Sequence, residues 1–234
     1  MPNTRRSSRS SLSFVPAAIQ AVTFDVGGTL IEPWPSVGHI YAEVAERFGV
    51  RGASPERLTG QFLAAWTVRS DFDYSRSAWH ALVEHSFAGF AEPLPAGCFE
   101  AIYDQFAEPD AWRIFPDVLP ALEDLARRGV RCAAISNWDE RLEPLLERLG
   151  LRRHFECVVA SWSVRCPKPH AAIFQHALKQ LNLPAEAVLH IGDSRREDFE
   201  GARAVGLSAR LLRRGEMPKA GEQLSSLSEL LALV

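Results

Sequence analysis

The sequence has no apolar run approaching the roughly 20 residues that a membrane-spanning helix needs. It also has no Cys-x-x-Cys pair and no internal repeat. Its four cysteines, Cys98, Cys132, Cys157 and Cys166, are far apart. In a chain long enough for a large core they read as buried or free thiols, which excludes a disulfide scaffold and points to a reducing, cytoplasmic setting. The histidines are scattered and none stands at ligand spacing from a cysteine, so a zinc site is not expected. Excess positive charge is lacking too, with 26 Lys and Arg against 29 Asp and Glu. Nothing therefore points to a polyanion-binding surface, and neither nucleic acid nor membrane is an expected partner. No continuous apolar stretch near the start resembles a secretory signal. Residues 1–19 are rich in Ser and Arg, carry Arg5, Arg6 and Arg9 without an acid, and lack periodicity. They are expected to form a disordered tail, an organelle transit peptide being the weaker reading.

What is present is an alternation of short apolar runs and amphipathic stretches. Val22 to Phe24 reads as a buried strand ending at Asp25. From about residue 33 to 113 no strand pattern appears. Four helical stripes fill that interval, carried by Tyr41 and Phe48, then Phe62 and Trp66, then Trp79 and Phe87, then Phe99 and Tyr103. Aromatic stripes at this spacing are expected to be the core of a helical unit rather than the lining of a ligand site. After Phe115-Pro116, helices at 117–128, 140–149, 171–181, 197–205 and 226–233 alternate with strands at 130–135, 157–160, 188–191 and 209–212. Strand and helix in alternation with short links predict an α/β fold, a Rossmann-like parallel sheet. The domain reading is a core of residues 20–32 and 114–234, with an inserted helical cap over 33–113. A helical insertion beside the end of the first strand is well placed to cover a site and exclude water.

Three strands end in polar residues that are poorly suited to a core: Asp25, the Ser136-Asn137 pair, and Asp193. In a parallel sheet these ends share one edge, where open α/β sheets bind ligands. Lys168 stands between Pro167 and Pro169, which restrict its backbone, and Asp198 follows Asp193 by five residues. Carboxylates gathered in one cleft repel unless a cation lies between them, and oxygen ligands suit Mg²⁺. A lysine, a hydroxyl, an amide and the N–H groups of a Gly27-Gly28 turn suit a phosphoryl group. A carboxylate can attack phosphorus to give an aspartyl phosphate. Plainer readings stand beside these. Asp-x-Gly-Gly is also a common tight turn, Ser136-Asn137 could be a turn, and Lys168 could be a surface lysine. Glu197 and Asp198 could be solvated acids of a first helical turn.

Together these stretches resemble the haloacid dehalogenase superfamily, in the group with a helical cap after the first strand. The runs Ile135 to Leu142, Lys168 to Phe174, and His190 to Ser194 with Asp198 to Gly206 are most similar to its HDHD3/DREG-2-like branch. The resemblance covers about 20–32 and 114–215, and the cap matches in position and helical character only. It implies a Mg²⁺-dependent hydrolase, a phosphatase acting on a small phosphorylated metabolite as a monomer or homodimer. Asp25 would be the nucleophile and a metal ligand. Gly27 would offer its carbonyl to the metal. Thr29, Ser136 and the amide of Asn137 would bind the phosphoryl group. Lys168 would offset charge at the nucleophile. Asp193 would ligate the metal, with Asp198 in support.

The sequence departs from that pattern in two places. Phosphatases of the superfamily carry a second aspartate two residues after the first, to protonate the leaving group and then activate water; here that residue is Gly27. Three consequences are open: a substrate with a good leaving group, a proton donor from the cap or the substrate, or a protein that binds phosphate ligands and turns them over poorly. His170 replaces the aspartate that usually follows Lys-Pro and is expected to affect only a helix cap. The dehalogenases proper also lack the second aspartate, but place a bulky aromatic there and need no metal. Sugar kinases of the actin-like fold share Asp-x-Gly-Gly-Thr, yet a helical insertion and a late Gly-Asp motif do not suit them.

Overall fold

The computed structural model describes residues 18–68, 72–216 and 221–234, so the expected tail lies almost wholly outside the described residues. The chain enters through β1 (Ala21–Phe24), all four residues buried because both sheet faces are covered. β2 (Ile31–Pro33) follows and leads into four helices, α1 (Val37–Arg47), α2 (Pro55–Val68), α3 (Arg76–Ser86) and α4 (Cys98–Gln105). α1 begins where Ser36 accepts the N–H of His39, and α2 where Ser54 accepts that of Arg57 ahead of a proline in the first helical position. β3 (Trp112–Ile114) brings the chain back and pairs antiparallel with β2, Ile31 opposite Ile114. This ribbon carries the chain out to the helical unit and home again, and Arg113 binds Glu32 across it. No strand was expected there, because three-residue strands are too short to show alternation.

The rest of the chain is α5 (Val118–Arg127), β4 (Arg131–Ser136), α6 (Leu142–Arg148), β5 (Cys157–Ala160), α7 (Ser161–Val164), α8 (Ala171–Leu181), β6 (Val188–Gly192), a π turn over Arg195–Glu200, α9 (Gly201–Ala204), β7 (Ser208–Leu212), β8 (Gln223–Leu224) and a closing 3₁₀ segment, Leu227–Ala232. The six main strands form one parallel sheet in the order β5-β4-β1-β6-β7-β8. Alternate residues feed opposite cores. Val22 and Phe24 pack with Leu122, Leu125 and Leu145, whereas Ala21, Ala133 and Ile135 pack with Phe174 and Leu181. The helical unit has a third core of its own, around Tyr41, Leu58, Phe87 and Ile102.

Two expected helices take other forms. The 197–205 stretch opens as a π turn, with the N–H groups of Asp198 and Phe199 both donated to the Ser194 carbonyl. The 226–233 stretch is 3₁₀ rather than α, and β8 ahead of it was not foreseen.

Candidate active site

β1 lies at the centre of the sheet, with β4 and β6 on its two sides. Phe24 is in register with Ala134 on one and Ile191 on the other. The residues just beyond, Asp25, Ser136 and Asp193, therefore emerge side by side at the carboxyl edge, where such sheets bind ligands. Lys168 arrives from the link between α7 and α8, and Asp198 from the π turn.

Around the Asp25 carboxylate, Lys168 Nζ donates to Oδ1 at 2.6 Å and Ser136 Oγ donates to the same oxygen at 2.9 Å. Thr29 Oγ1 donates to Oδ2 at a long 3.4 Å. Lys168 Nζ also donates to Asp198 Oδ1 at 2.6 Å, so one ammonium bridges two carboxylates. Asn137 holds the lysine's backbone from both sides: its Oδ1 accepts the Lys168 N–H at 2.6 Å and its Nδ2 donates to the Lys168 carbonyl at 3.0 Å. Nδ2 also reaches Glu197 Oε2 at 3.2 Å, so Glu197 is tied into the site rather than merely solvated. Lys168 is buried, which sets aside the surface-lysine reading, and Asp198 is not a solvated first-turn acid.

Asp198 is held from several directions. His190 Nε2 lies 3.1 Å from its Oδ1, and the Ser194 N–H donates to its Oδ2 at 2.9 Å. His190 is itself fixed by Thr23 Oγ1, 2.8 Å from Nδ1. A Cβ on Gly192 would stand 2.1 Å from Asp198 Cγ, so glycine is required for this carboxylate to sit where it does. The π turn serves the same end, since its wider ring swings Asp198 inward; such turns recur at functional sites. With these donors on its oxygens, Asp198 positions Lys168. Neither His190 nor Thr23 stands out in the sequence, because within β6 and β1 they look like ordinary strand positions. His170 caps α8, its Nδ1 accepting the Ala172 N–H at 3.2 Å.

Asp25, Asp193 and Asp198 bring carboxylate oxygens within 4.8 Å of one another, with Lys168 as the buried cation among them. Burial raises the pKa of Asp25 against the opposing charge of Lys168. Burial, with the charges of Asp25 and Asp198, pushes Asp193 up to about 7. At Asp198 burial works the same way, but Lys168 and His190 overcome it and hold the carboxyl well below the usual range. Burial would lower Lys168, and the two carboxylates instead hold it above the usual lysine range. Three carboxylates against one ammonium is an excess of negative charge that a divalent, oxygen-seeking cation such as Mg²⁺ fits. The turn leaves room for it. Gly28 has φ +76°, and a Cβ there would stand 2.5 Å from Asp193 Oδ2.

A stability prediction follows from Asp193. Its folded pKa lies above the unfolded value of 3.8, so the folded protein holds the proton more tightly. Without metal, stability is expected to fall as pH rises from about 4 to about 7. Mg²⁺ should reverse that loss and bind more tightly as the carboxyl ionises. Thermal unfolding at pH 5.5 and 8, with Mg²⁺ and with EDTA, checks this. A metal-free melting temperature that climbs between those pH values, with no gain from Mg²⁺ at pH 8, would contradict it.

Above the polar floor the site opens into a cavity of about 600 Å³. Its far walls are rings from the helical unit, among them Phe62, Trp66 and Trp79. The expectation that the aromatic stripes serve only as core is thus corrected: Tyr41, Phe99 and Tyr103 belong to the helical core and wall the cavity as well. Trp138, directly after Asn137, stands against the turn that follows Asp25. A Cβ on Gly27 would lie 3.3 Å from its Cζ3. Its backbone is anchored through the Ser161 hydroxyl, which accepts its N–H at 3.0 Å and donates to its carbonyl at 3.0 Å. Arg141 joins core to cap, binding Asp139 and the Tyr103 carbonyl and lying 3.4 Å over the Tyr103 ring.

A family model described as haloacid dehalogenase-like hydrolase matches residues 19–206. The chain is 34% identical over 206 residues to haloacid dehalogenase-like hydrolase domain-containing protein 3 of Homo sapiens, covering 83% of this chain and 82% of that protein. Among solved structures, the putative HAD-hydrolase YfnB of Bacillus subtilis, bound to magnesium, matches with a TM-score of 0.74 at 15% identity over 92% of this chain and 98% of its own. The L-2-haloacid dehalogenase of Xanthobacter autotrophicus matches with a TM-score of 0.71 at 19% identity over 92% and 98%. At such identities the structures speak to fold alone. Among the described residues, no helix is long and apolar enough to cross a membrane.

Proposed function

The chain belongs to the haloacid dehalogenase-like hydrolase family, and we propose that within it the protein is a Mg²⁺-dependent phosphatase acting on a small phosphorylated metabolite through a phospho-Asp25 intermediate. The observation that carries this reading is the Asp25 carboxylate, engaged by Lys168 and Ser136 inside a cluster of three carboxylates. A bound Mg²⁺, held by Asp25 and Asp193 with the Gly27 carbonyl, would neutralise the cluster and polarise the phosphoryl group.

This chain's own residues do the rest. Asp25 presents one carboxylate oxygen to phosphorus. Ser136, Thr29 and the Asn137 amide receive the phosphoryl oxygens. Lys168, locked by Asp198 and by Asn137, lies 2.6 Å from the attacking carboxylate and offsets charge that shifts onto the transferred group. Water then attacks phosphorus and frees Asp25.

Gly27 leaves without a carboxylate the position from which phosphatases of the superfamily assist the departing group and the attacking water, help typically worth about 10²–10⁴-fold. Phosphate release from esters and acyl phosphates, with Mg²⁺ and with EDTA, tests the reading. Release is expected to need the metal and to vanish in Asp25→Asn. Gly27→Asp should raise alkyl ester turnover by about 10²-fold once Trp138 yields a few tenths of an ångström. No release from any substrate, without rescue by Gly27→Asp, would overturn the hydrolase and leave a phosphate-ligand or partner-binding protein.

One observation favours dehalogenation as a second reading. Trp138 sets an aromatic ring 3.3 Å from where a Cβ on Gly27 would stand, the sequence position at which dehalogenases carry their aromatic residue. Halide release from 2-chloropropionate, undiminished by EDTA, would establish that reading; the excess carboxylate charge argues against it.

A further inference from the structure

We propose that the substrate is a phosphate carried on an aromatic or acyl-aromatic group, a good leaving group whose ring fills the cavity above Asp25. This inference rests on the phosphatase reading and names its substrate class.

Three observations meet here. The first is size. The cavity of about 600 Å³ runs continuously from Asp25 to Trp66 and Trp79. At about 30 Å³ per water the empty cavity holds on the order of 20 waters, and a two- or three-carbon ester would displace only part of them, leaving the reacting groups wet. The second is lining. Beyond the polar floor the walls are largely rings, with Trp66 stacked between Phe62 at 5.8 Å and Trp79 at 5.6 Å. Such a surface favours a flat apolar group. The third is the position of Trp138 against Gly27. Where a side chain would protonate the departing oxygen, this chain presents an indole.

The chemistry balances on that basis. A carboxylate oxygen of Asp25 attacks phosphorus, and the P–O bond to the ring breaks with its electron pair on the departing oxygen. A phenol has a pKa of about 10, against about 15.7 for water, so the phenolate leaves without a positioned acid and takes its proton from solvent. A carboxylate leaving from an acyl phosphate departs more readily still. Water then attacks phosphorus of phospho-Asp25, the P–O bond to Asp25 breaks, and inorganic phosphate and a proton are released.

Four substrates separate ring from leaving group when tested on the full chain with Mg²⁺: 1-naphthyl phosphate, 2-(1-naphthyl)ethyl phosphate, acetyl phosphate and ethyl phosphate. The expected kcat/KM for 1-naphthyl phosphate exceeds that for acetyl phosphate at least tenfold and that for ethyl phosphate at least 100-fold. Trp66→Leu and Trp138→Leu, which keep an apolar side chain but remove the ring, should each lower the naphthyl-to-acetyl ratio at least tenfold. Tryptophan fluorescence should show naphthylmethylphosphonate binding wild type at least tenfold more tightly than methylphosphonate. If acetyl phosphate is hydrolysed at Asp25 while the ring brings no advantage in rate or binding, the aromatic-substrate inference falls and the phosphatase stands. If no substrate turns over while naphthylmethylphosphonate still binds selectively, the phosphatase falls and aromatic phosphate recognition stands. Ratios unchanged in both tryptophan variants would overturn the role given to the rings.

Discussion

Asp25→Asn is expected to abolish turnover, by about 10⁴-fold or more, and to leave the protein folded. Loss of a hydrolase nucleophile can cost about 10⁶-fold in kcat, and a loss of 10⁴ corresponds to about 5.5 kcal/mol of barrier. Asparagine keeps the size of the side chain but offers no carboxylate to phosphorus. The fold should not suffer, because burial and Asp198 already disfavour the charge on Asp25. Lys168 retains its 2.6 Å contact with Asp198. In the absence of metal the variant should melt no lower than wild type, and its gain from Mg²⁺ should be smaller, since one carboxylate of the cluster is gone. Steady-state phosphate release and differential scanning calorimetry read the two effects separately. A variant that lost activity by unfolding would carry no information about the nucleophile.

Lys168→Met is expected to be the most destabilising of the active-site substitutions. The ammonium bridges Asp25 and Asp198, and all three groups are buried. Methionine of similar length would leave two buried carboxylates facing each other with Asp193 beside them. Breaking a buried pair by removing one partner typically costs about 3–5 kcal/mol. For a chain of this size that is a fall of roughly 10 °C in melting temperature. Mg²⁺ should recover more stability in the variant than in wild type, because the uncompensated charge is larger. Activity with saturating Mg²⁺ should fall by about 10²–10³-fold, the usual effect of losing one preorganised charge partner. A melting temperature within about 2 °C of wild type would mean that Lys168 is not the counter-charge described here.

Most of the core was legible because its signals are local. An apolar run ending in Asp25, Ser136 or Gly192-Asp193 states both the strand and the place where it stops, and parallel pairing brings the three ends together. Lys168 was legible through its two prolines. Residues whose role is set by distant neighbours were not. His190 and Thr23 sit on separate strands and meet only because β6 pairs with β1, Thr23 opposite His190. Trp138 follows a recognisable Ser-Asn pair, but its approach to Gly27 is a matter of tertiary packing. In the cap, helical spacing shows that Phe62 and Trp66 share a stripe. It does not tell whether that stripe meets another helix or a cavity. The turn over Arg195–Glu200 became π rather than α because Asp198 is drawn inward to Lys168 and His190, a pull that helical spacing does not contain.

Asp25 is expected to receive the phosphoryl group during turnover. Rapid acid quench of the protein with 1-naphthyl phosphate or acetyl phosphate and Mg²⁺, followed by peptide mass spectrometry, tests it most directly. Without an acid–base residue at position 27, breakdown of the intermediate should be slow and the intermediate should accumulate. One added phosphoryl group is expected on the peptide that contains Asp25, absent with EDTA and absent in Asp25→Asn. Phosphate released with no phosphoryl group found on Asp25, or release that persists in Asp25→Asn, would contradict it.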